Sequence, residues 1–143
     1  MNNIGIAIYK NEIYYCVFDT EERTLIKGAL NYNIDSSTLM SDFRNLFIEI
    51  INNYQPSLIA FKVSIDIRKL TQYKYMYYPL GILGLLCEEN GIICIERSNR
   101  WITSKINNRN KCDIVRECYS SEQVNKKNIQ AAVLSYFNGE SEC

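Results

Sequence analysis

IGIAIYKNEIYYCVFDTEERTLIKGAL, residues 4–30, is the stretch whose reading decides the fold. Ile4, Ile6 and Ile8 alternate with Gly5 and Ala7, the period of a strand with one large and one small face. Lys10-Asn11-Glu12 then makes a polar turn, and Ile13 to Phe18 is a second β-rich run, broken by Asp19-Thr20-Glu21-Glu22. Thr24 to Tyr32 completes a third strand, with Gly28 as a candidate bend. Three strands joined by two tight polar turns form a meander.

Outward from the meander the periodicity changes. Asp35, Ser36 and Ser37 offer helix N-caps, and Leu39, Phe43, Leu46, Phe47, Ile50 and Ile51 fall on one helical face. Leu58 to Val63, after Pro56, is a continuous apolar run of the kind a buried parallel strand carries. Ser64 to Tyr75 is polar and basic, with Arg68, Lys69 and Lys74, and its pattern predicts no regular element. Pro79 to Asn90 predicts a second helix, with Pro79 in its opening turn or kinking it, and Gly91 as its stop. Gly81 and Gly84, three apart, are read as the surface by which this helix approaches the sheet. Gly91 to Glu96 is a further buried strand, and helices are predicted over Cys112–Ser120 and Lys126–Phe137. The order is βββαβαβαα. A strand–helix–strand connection returns the chain parallel and right-handed, so the fold class is α/β: a mixed five-stranded sheet flanked by helices. One domain is expected over residues 1–138, with a polar tail over 139–143.

Composition narrows the chemistry. At 143 residues with 47% hydrophobic side chains, the chain can bury a core and is globular rather than disordered. There is no histidine, which removes the commonest general base and metal ligand and every His-based hydrolase triad. The cysteines at 16, 87, 94, 112, 118 and 143 show no C-x-x-C spacing, and Cys16, Cys87 and Cys94 sit in apolar patterns where a thiol acts as a small hydrophobe. No cofactor and no metal site is expected. The longest apolar run, around Leu80 to Cys87, is far short of the ~20 residues of a membrane span, and the start lacks the pattern of a signal peptide. A cytoplasmic location is the expectation.

The chain resembles the RuvC-like branch of the RNase H-like superfamily, the Holliday junction resolvases and their relatives, and short bacterial and phage proteins on that fold. The resemblance covers nearly the whole chain. It is carried by Ile4-Gly5-Ile6-Ala7, by Leu58-Ile59-Ala60-Phe61-Lys62, by Gly81-Ile82-Leu83-Gly84 with Asn90 to Glu96, and by the closing Ile129-Gln130-Ala131-Ala132. It implies an RNase H-like fold. In active members, carboxylates on strand one, at the end of strand four and on the last helix hold two divalent cations. Matched onto this sequence, those positions hold Ala7, Lys62, Lys127 and Gln130. Residues 1–11 and 54–65 contain no acid at all, whatever the register. The resemblance therefore implies a non-catalytic member, a pseudonuclease. Asp66 and Glu96 are the acids that would have to compensate if nuclease activity survived.

Two further groups are candidates for binding. Residues 61–111 carry nine basic and four acidic side chains, against four and seven in residues 1–60. Arg97, Arg100, Lys105, Arg109 and Lys111 surround Trp101, with Asn107, Asn108 and Asn110 alongside. That mixture suits phosphate contact with base stacking, on branched or single-stranded nucleic acid. It equally suits a solvated loop with Trp101 anchored in the core, and a formal net charge of zero is unlike most nucleic-acid binders. Tyr73, Tyr75, Tyr77 and Tyr78 form a second cluster, read either as an interface to a protein partner or second copy or as the edge of a core. Three functions stay open: nucleic-acid binding without catalysis, an accessory, immunity or inhibitor protein of a phage or mobile element, and a nuclease with relocated carboxylates.

Overall fold

The meander forms β1 (Asn2–Tyr9), β2 (Glu12–Asp19) and β3 (Thr24–Asn31) in the computed structural model, which describes residues 1–64, 73–119 and 124–137. Helix α1 (Leu39–Tyr54), strand β4 (Leu58–Ser64), helix α2 (Tyr73–Glu89) and strand β5 (Ile93–Glu96) follow. The chain then makes α3 (Asn99–Thr103), a small hairpin of β6 (Lys105–Ile106) and β7 (Arg109–Asn110), α4 (Lys111–Cys118) and α5 (Lys126–Tyr136). The five long strands form one mixed sheet in the order β3-β2-β1-β4-β5, with β1, β4 and β5 parallel and the meander antiparallel.

Strand alternation divides the core into two layers. Ile4, Ile6, Ile8, Ile13, Val17, Ile59 and Phe61 face α1 and α2, where they pack with Phe43, Phe47 and Leu83. Ala7, Cys16 and Ala60 point to the other face and meet α5 through Ala131, Ala132 and Leu134, closed off by Ile102 and Val115. That second face is small by necessity. A Cβ built on Gly5 would stand 2.7 Å from the Ser135 nitrogen and 2.8 Å from Leu134 Cβ, and nearer still to the Ala131 carbonyl oxygen. Backbone of α5 thus lies directly on β1, which fixes where the start of α5 stands relative to the ends of β1 and β4.

Three expectations are corrected. Gly81 and Gly84 do not mediate close packing: a Cβ at either meets nothing within 4 Å, and the close approach is made by Gly5 instead. Helix α2 begins at Tyr73 rather than at Pro79, so of the two places open to Pro79 it takes the helix interior, where it is buried and costs one helical hydrogen bond. Gly28 is not a bend but lies under the ring of Tyr15, its partner across β2 and β3. The Asn-rich stretch also has a local explanation. Asn107 and Asn108 take positive φ values of 51° and 64° in the β6–β7 turn, and Asn110 caps α4 by accepting from the Cys112 N–H at 2.8 Å. Among the described residues no helix is long and apolar enough to cross a membrane.

Candidate functional site

The parallel pairing of β1 and β4 sets Ala7 opposite Lys62 and Tyr9 opposite Ser64 at the carboxyl ends of the strands. In open α/β sheets, this is the edge at which ligands bind. Helix α5 starts above that edge, capped by Asn125, whose side chain accepts from the Lys127 N–H. Gln130, one turn in, is buried and faces the sheet. The half-buried Lys62 ammonium donates to Gln130 Oε1 at 3.4 Å and to Asn99 Oδ1, from α3, at 3.2 Å. The Tyr9 hydroxyl donates to the same Gln130 oxygen. Ala7, Lys62 and Gln130 therefore stand together, Ala7 contributing only a fully buried methyl.

Lys127 turns to the neighbouring corner. Its ammonium pairs with Glu12 Oε1 at 3.5 Å and stands 4.7 Å from the ring centre of Tyr9 and 5.4 Å from that of Tyr14. Tyr14 donates its hydroxyl to the other Glu12 oxygen. The Tyr14 hydrogen bond, with Lys127 beside it, holds the Glu12 carboxyl below its ordinary range. Lys62 is different. Burial, and then repulsion from Lys126, lower its pKa, and no carboxylate among the described residues pairs with it. Burial pushes the Tyr9 phenol up, so it stays protonated at neutral pH and keeps its donor.

This donor set does not fit a pair of divalent cations. Among the described residues no group of three or more His, Cys, Asp or Glu side chains could hold a metal. Among the described residues the one acid that reaches the cluster, Glu12, is already engaged by Lys127 and Tyr14, while Lys62 and Lys126 bring positive charge. Glu96 cannot compensate, because its register partner is Phe61, on the α1/α2 side of the sheet, opposite to Lys62. Asp66 lies outside the described residues, as do the basic residues of 65–72 and the tail over 139–143.

The basic segment is redistributed by folding. Lys111 is the clearest correction to the set of phosphate-contacting candidates. It is only 3% exposed, and its ammonium donates to the Trp101 carbonyl at 3.0 Å and to Ser104 Oγ at 2.6 Å, closing the end of α3. The same ammonium stands 4.2 Å from the Trp101 ring centre, and the Arg97 guanidinium 4.8 Å from it. Trp101 is half-buried against the second core layer, so the tryptophan works as an anchor. Arg109 pairs with Glu117. Arg100 and Lys105 are exposed. The tyrosine cluster also divides: Tyr78 packs on the core while Tyr77 is 56% exposed, and the side chains of Tyr73 and Tyr75 lie outside the described residues.

Tyr9, Glu12, Tyr14, Asn99 and Lys126 belong to the site and were not singled out from sequence. Tyr9 continues the Gly5–Ala7 face by strand alternation, and Lys126 sits four residues before Gln130 on one helical face, so both carried a signal. Asn99 carried none, because α3 lies within a stretch without visible periodicity.

No family model and no curated protein matches the sequence. Solved structures do match. Thermus thermophilus RuvC in complex with a Holliday junction superposes with a TM-score of 0.71 at 11% identity, covering 94% of this chain and 90% of that one. The yeast mitochondrial Holliday junction resolvase Ydc2 gives 0.53 at 14% identity, covering 92% and 74%. Fowlpox virus resolvase with its junction DNA gives 0.51 at 14%, covering 96% of both chains. Likeness at these identities is a likeness of fold: the chain has an α/β RNase H-like fold.

Proposed function

We propose that this protein binds branched or single-stranded nucleic acid and does not hydrolyse it. The observation that carries the reading is the charge at the carboxyl ends of β1 and β4. The two neighbours captured with Holliday junctions share this fold, and metal-dependent cleavage on it would need several carboxylates converging there. Among the described residues, this chain instead brings Lys62 and Lys126 to that edge, with Arg97 following β5, while Lys127 and Glu12 neutralise one another. Such a surface attracts phosphate and repels divalent cations. Exposed Arg100 and Lys105 extend the positive surface beyond the site.

The test is fluorescence anisotropy with a four-way junction, a duplex and a single strand across ~50–200 mM salt, where each phosphate contact contributes ~0.7–0.9 to the logarithmic slope. Binding with a slope of about 2 or more supports the proposal, and an Arg97/Arg100/Lys105 triple alanine should weaken it. Absence of salt-dependent binding to all three probes refutes it. A second reading, a protein-binding accessory or inhibitor of a phage or mobile element, draws on exposed Tyr77 and Leu85 of α2, each 56% exposed. It predicts a protein partner and no salt-dependent nucleic-acid binding.

A further inference from the structure

The site at the ends of β1 and β4 is built almost wholly from hydrogen-bond donors. Lys62 spends two of its three N–H bonds on the carbonyl oxygens of Asn99 and Gln130. Tyr9 also donates to the Gln130 oxygen. Both amides are thereby oriented oxygen-inward, and neither amide nitrogen has a hydrogen-bond partner among the described residues. Arg97 stands beside Lys62 on the same sheet face. Its backbone N–H donates to the Phe61 carbonyl at 2.9 Å, continuing the β4–β5 pairing, and its Nε is buried without a partner. Lys126 is exposed one helical turn from Gln130 and repels Lys62. Lys127, by contrast, is already neutralised by Glu12. Among the described residues, what remains is two ammonium groups paired with no carboxylate and two amide nitrogens without a partner, with the buried Ser64 hydroxyl, also unpartnered, beside them.

We infer that Lys62 and Lys126, with the side-chain amides of Asn99 and Gln130, form a metal-free phosphate site at the carboxyl edge of β1 and β4. The ligand is a tetrahedral phosphate group, either a backbone phosphodiester or a free phosphate. Its oxygens take the third Lys62 N–H, the Lys126 ammonium and the two amide nitrogens, as charge-assisted bonds of the kind phosphate prefers. An arriving anion also relieves the Lys62–Lys126 repulsion, so binding and the protonated state of Lys62 reinforce one another. This inference deepens the nucleic-acid reading of the same site, but can be tested apart from it.

The experiment uses the full chain and two conservative variants, Lys62→Gln and Lys126→Gln, each first checked for a parental circular-dichroism spectrum and melting transition. Lys126→Gln changes an exposed side chain, so it serves even if Lys62→Gln fails to fold. Inorganic phosphate is titrated while the Asn99 and Gln130 side-chain amide resonances are followed by NMR, and the four-way junction is titrated in parallel. Saturable shifts of both amides with phosphate, lost in either variant, support the site. A junction affinity that falls about tenfold in Lys126→Gln, with a salt slope lower by about 1, assigns it to backbone phosphodiester. Phosphate shifts lost in the variants with junction affinity unchanged assign it to free phosphate. Phosphate shifts in a protein that binds no nucleic acid would sink the proposed function and leave the site standing. Amides unmoved by both phosphate and junction overturn the inference, even if the protein binds the junction elsewhere.

Discussion

Replacing Gly5 by alanine should cost more stability than any other single-methyl addition to the sheet. The new Cβ would sit 2.7 Å from the Ser135 nitrogen and 2.8 Å from Leu134 Cβ, with the Ala131 carbonyl closer still. Ordinary Cβ contacts begin near 3.4 Å, so α5 must retreat by roughly 1 Å or β1 must buckle, and two of the three obstacles are backbone. Retreat loosens a layer in which Ile129, Ala131, Ala132, Val133 and Leu134 are at most 1% exposed. Overpacking of a tight core costs about 1–3 kcal/mol, and rigid obstacles put this case at about 3. For a chain of this size that is a fall in Tm of roughly 12 °C. The same retreat would lengthen the 3.4 Å Lys62–Gln130 contact beyond hydrogen-bond range. Urea and thermal denaturation of Gly5→Ala read the effect, with Gly81→Ala as the control. Gly81 is helical and meets nothing within 4 Å, so its replacement should add about 0.5–1 kcal/mol. A Gly5→Ala protein within about 0.5 kcal/mol of the parent would refute the claim that α5 backbone rests on β1.

Lys111→Ala should destabilise by about 2–3 kcal/mol, because it empties a buried position and removes the hydrogen bonds that tie α4 to the Trp101 carbonyl and Ser104 Oγ at the end of α3. Its Trp fluorescence should move red, while the salt slope of nucleic-acid binding, if present, should stay unchanged; a reduced slope would return Lys111 to the binding surface. Gly28→Ala should cost about 1–2 kcal/mol in the parent and much less in a Tyr15→Ala background, since the Tyr15 ring is what covers Gly28. Equal costs in both backgrounds would disprove that pairing. Burial pushes the Tyr32 phenol from its ordinary value of 10.0 up to about 12. Between those values the folded state holds a proton that the unfolded state has released, so this contribution to stability is complete below pH 10 and lost as pH rises towards 12. Tyr32→Phe, which loses the hydrogen bond to the Tyr9 carbonyl, should be about 1 kcal/mol less stable near neutral pH. That deficit should shrink across the alkaline window; a constant gap would contradict the shift.

Much of the fold was legible because its strands announce themselves locally. The Ile4–Ile6–Ile8 alternation, the two polar turns and the apolar run from Leu58 each depend on near neighbours, and the sheet order follows from connection rules. Which helix touches which strand was less so. Gly81 and Gly84 on α2 and Gly5 on β1 carry the same composition signal for close approach, and only three-dimensional packing gives it to Gly5. The juxtaposition of Ala7, Lys62 and Gln130 came from a family resemblance; the strand pairing that supports it is non-local. Sequence charge misled at Lys111, since a lysine in a basic run and a lysine closing a helix end look identical until Trp101 and Ser104 are seen around it. The Asn-rich stretch misled in the same way, its side chains serving the β6–β7 turn and the α4 cap.

The measurement that bears most directly on the account is an end-labelled four-way junction incubated with the protein and Mg²⁺ or Mn²⁺, resolved in parallel on native and denaturing gels. The account predicts a retarded complex on the native gel and full-length strands on the denaturing one, with either metal. Shortened strands that depend on the metal would contradict it, by showing that carboxylates assemble at a site where Ala7, Lys62 and Gln130 stand together.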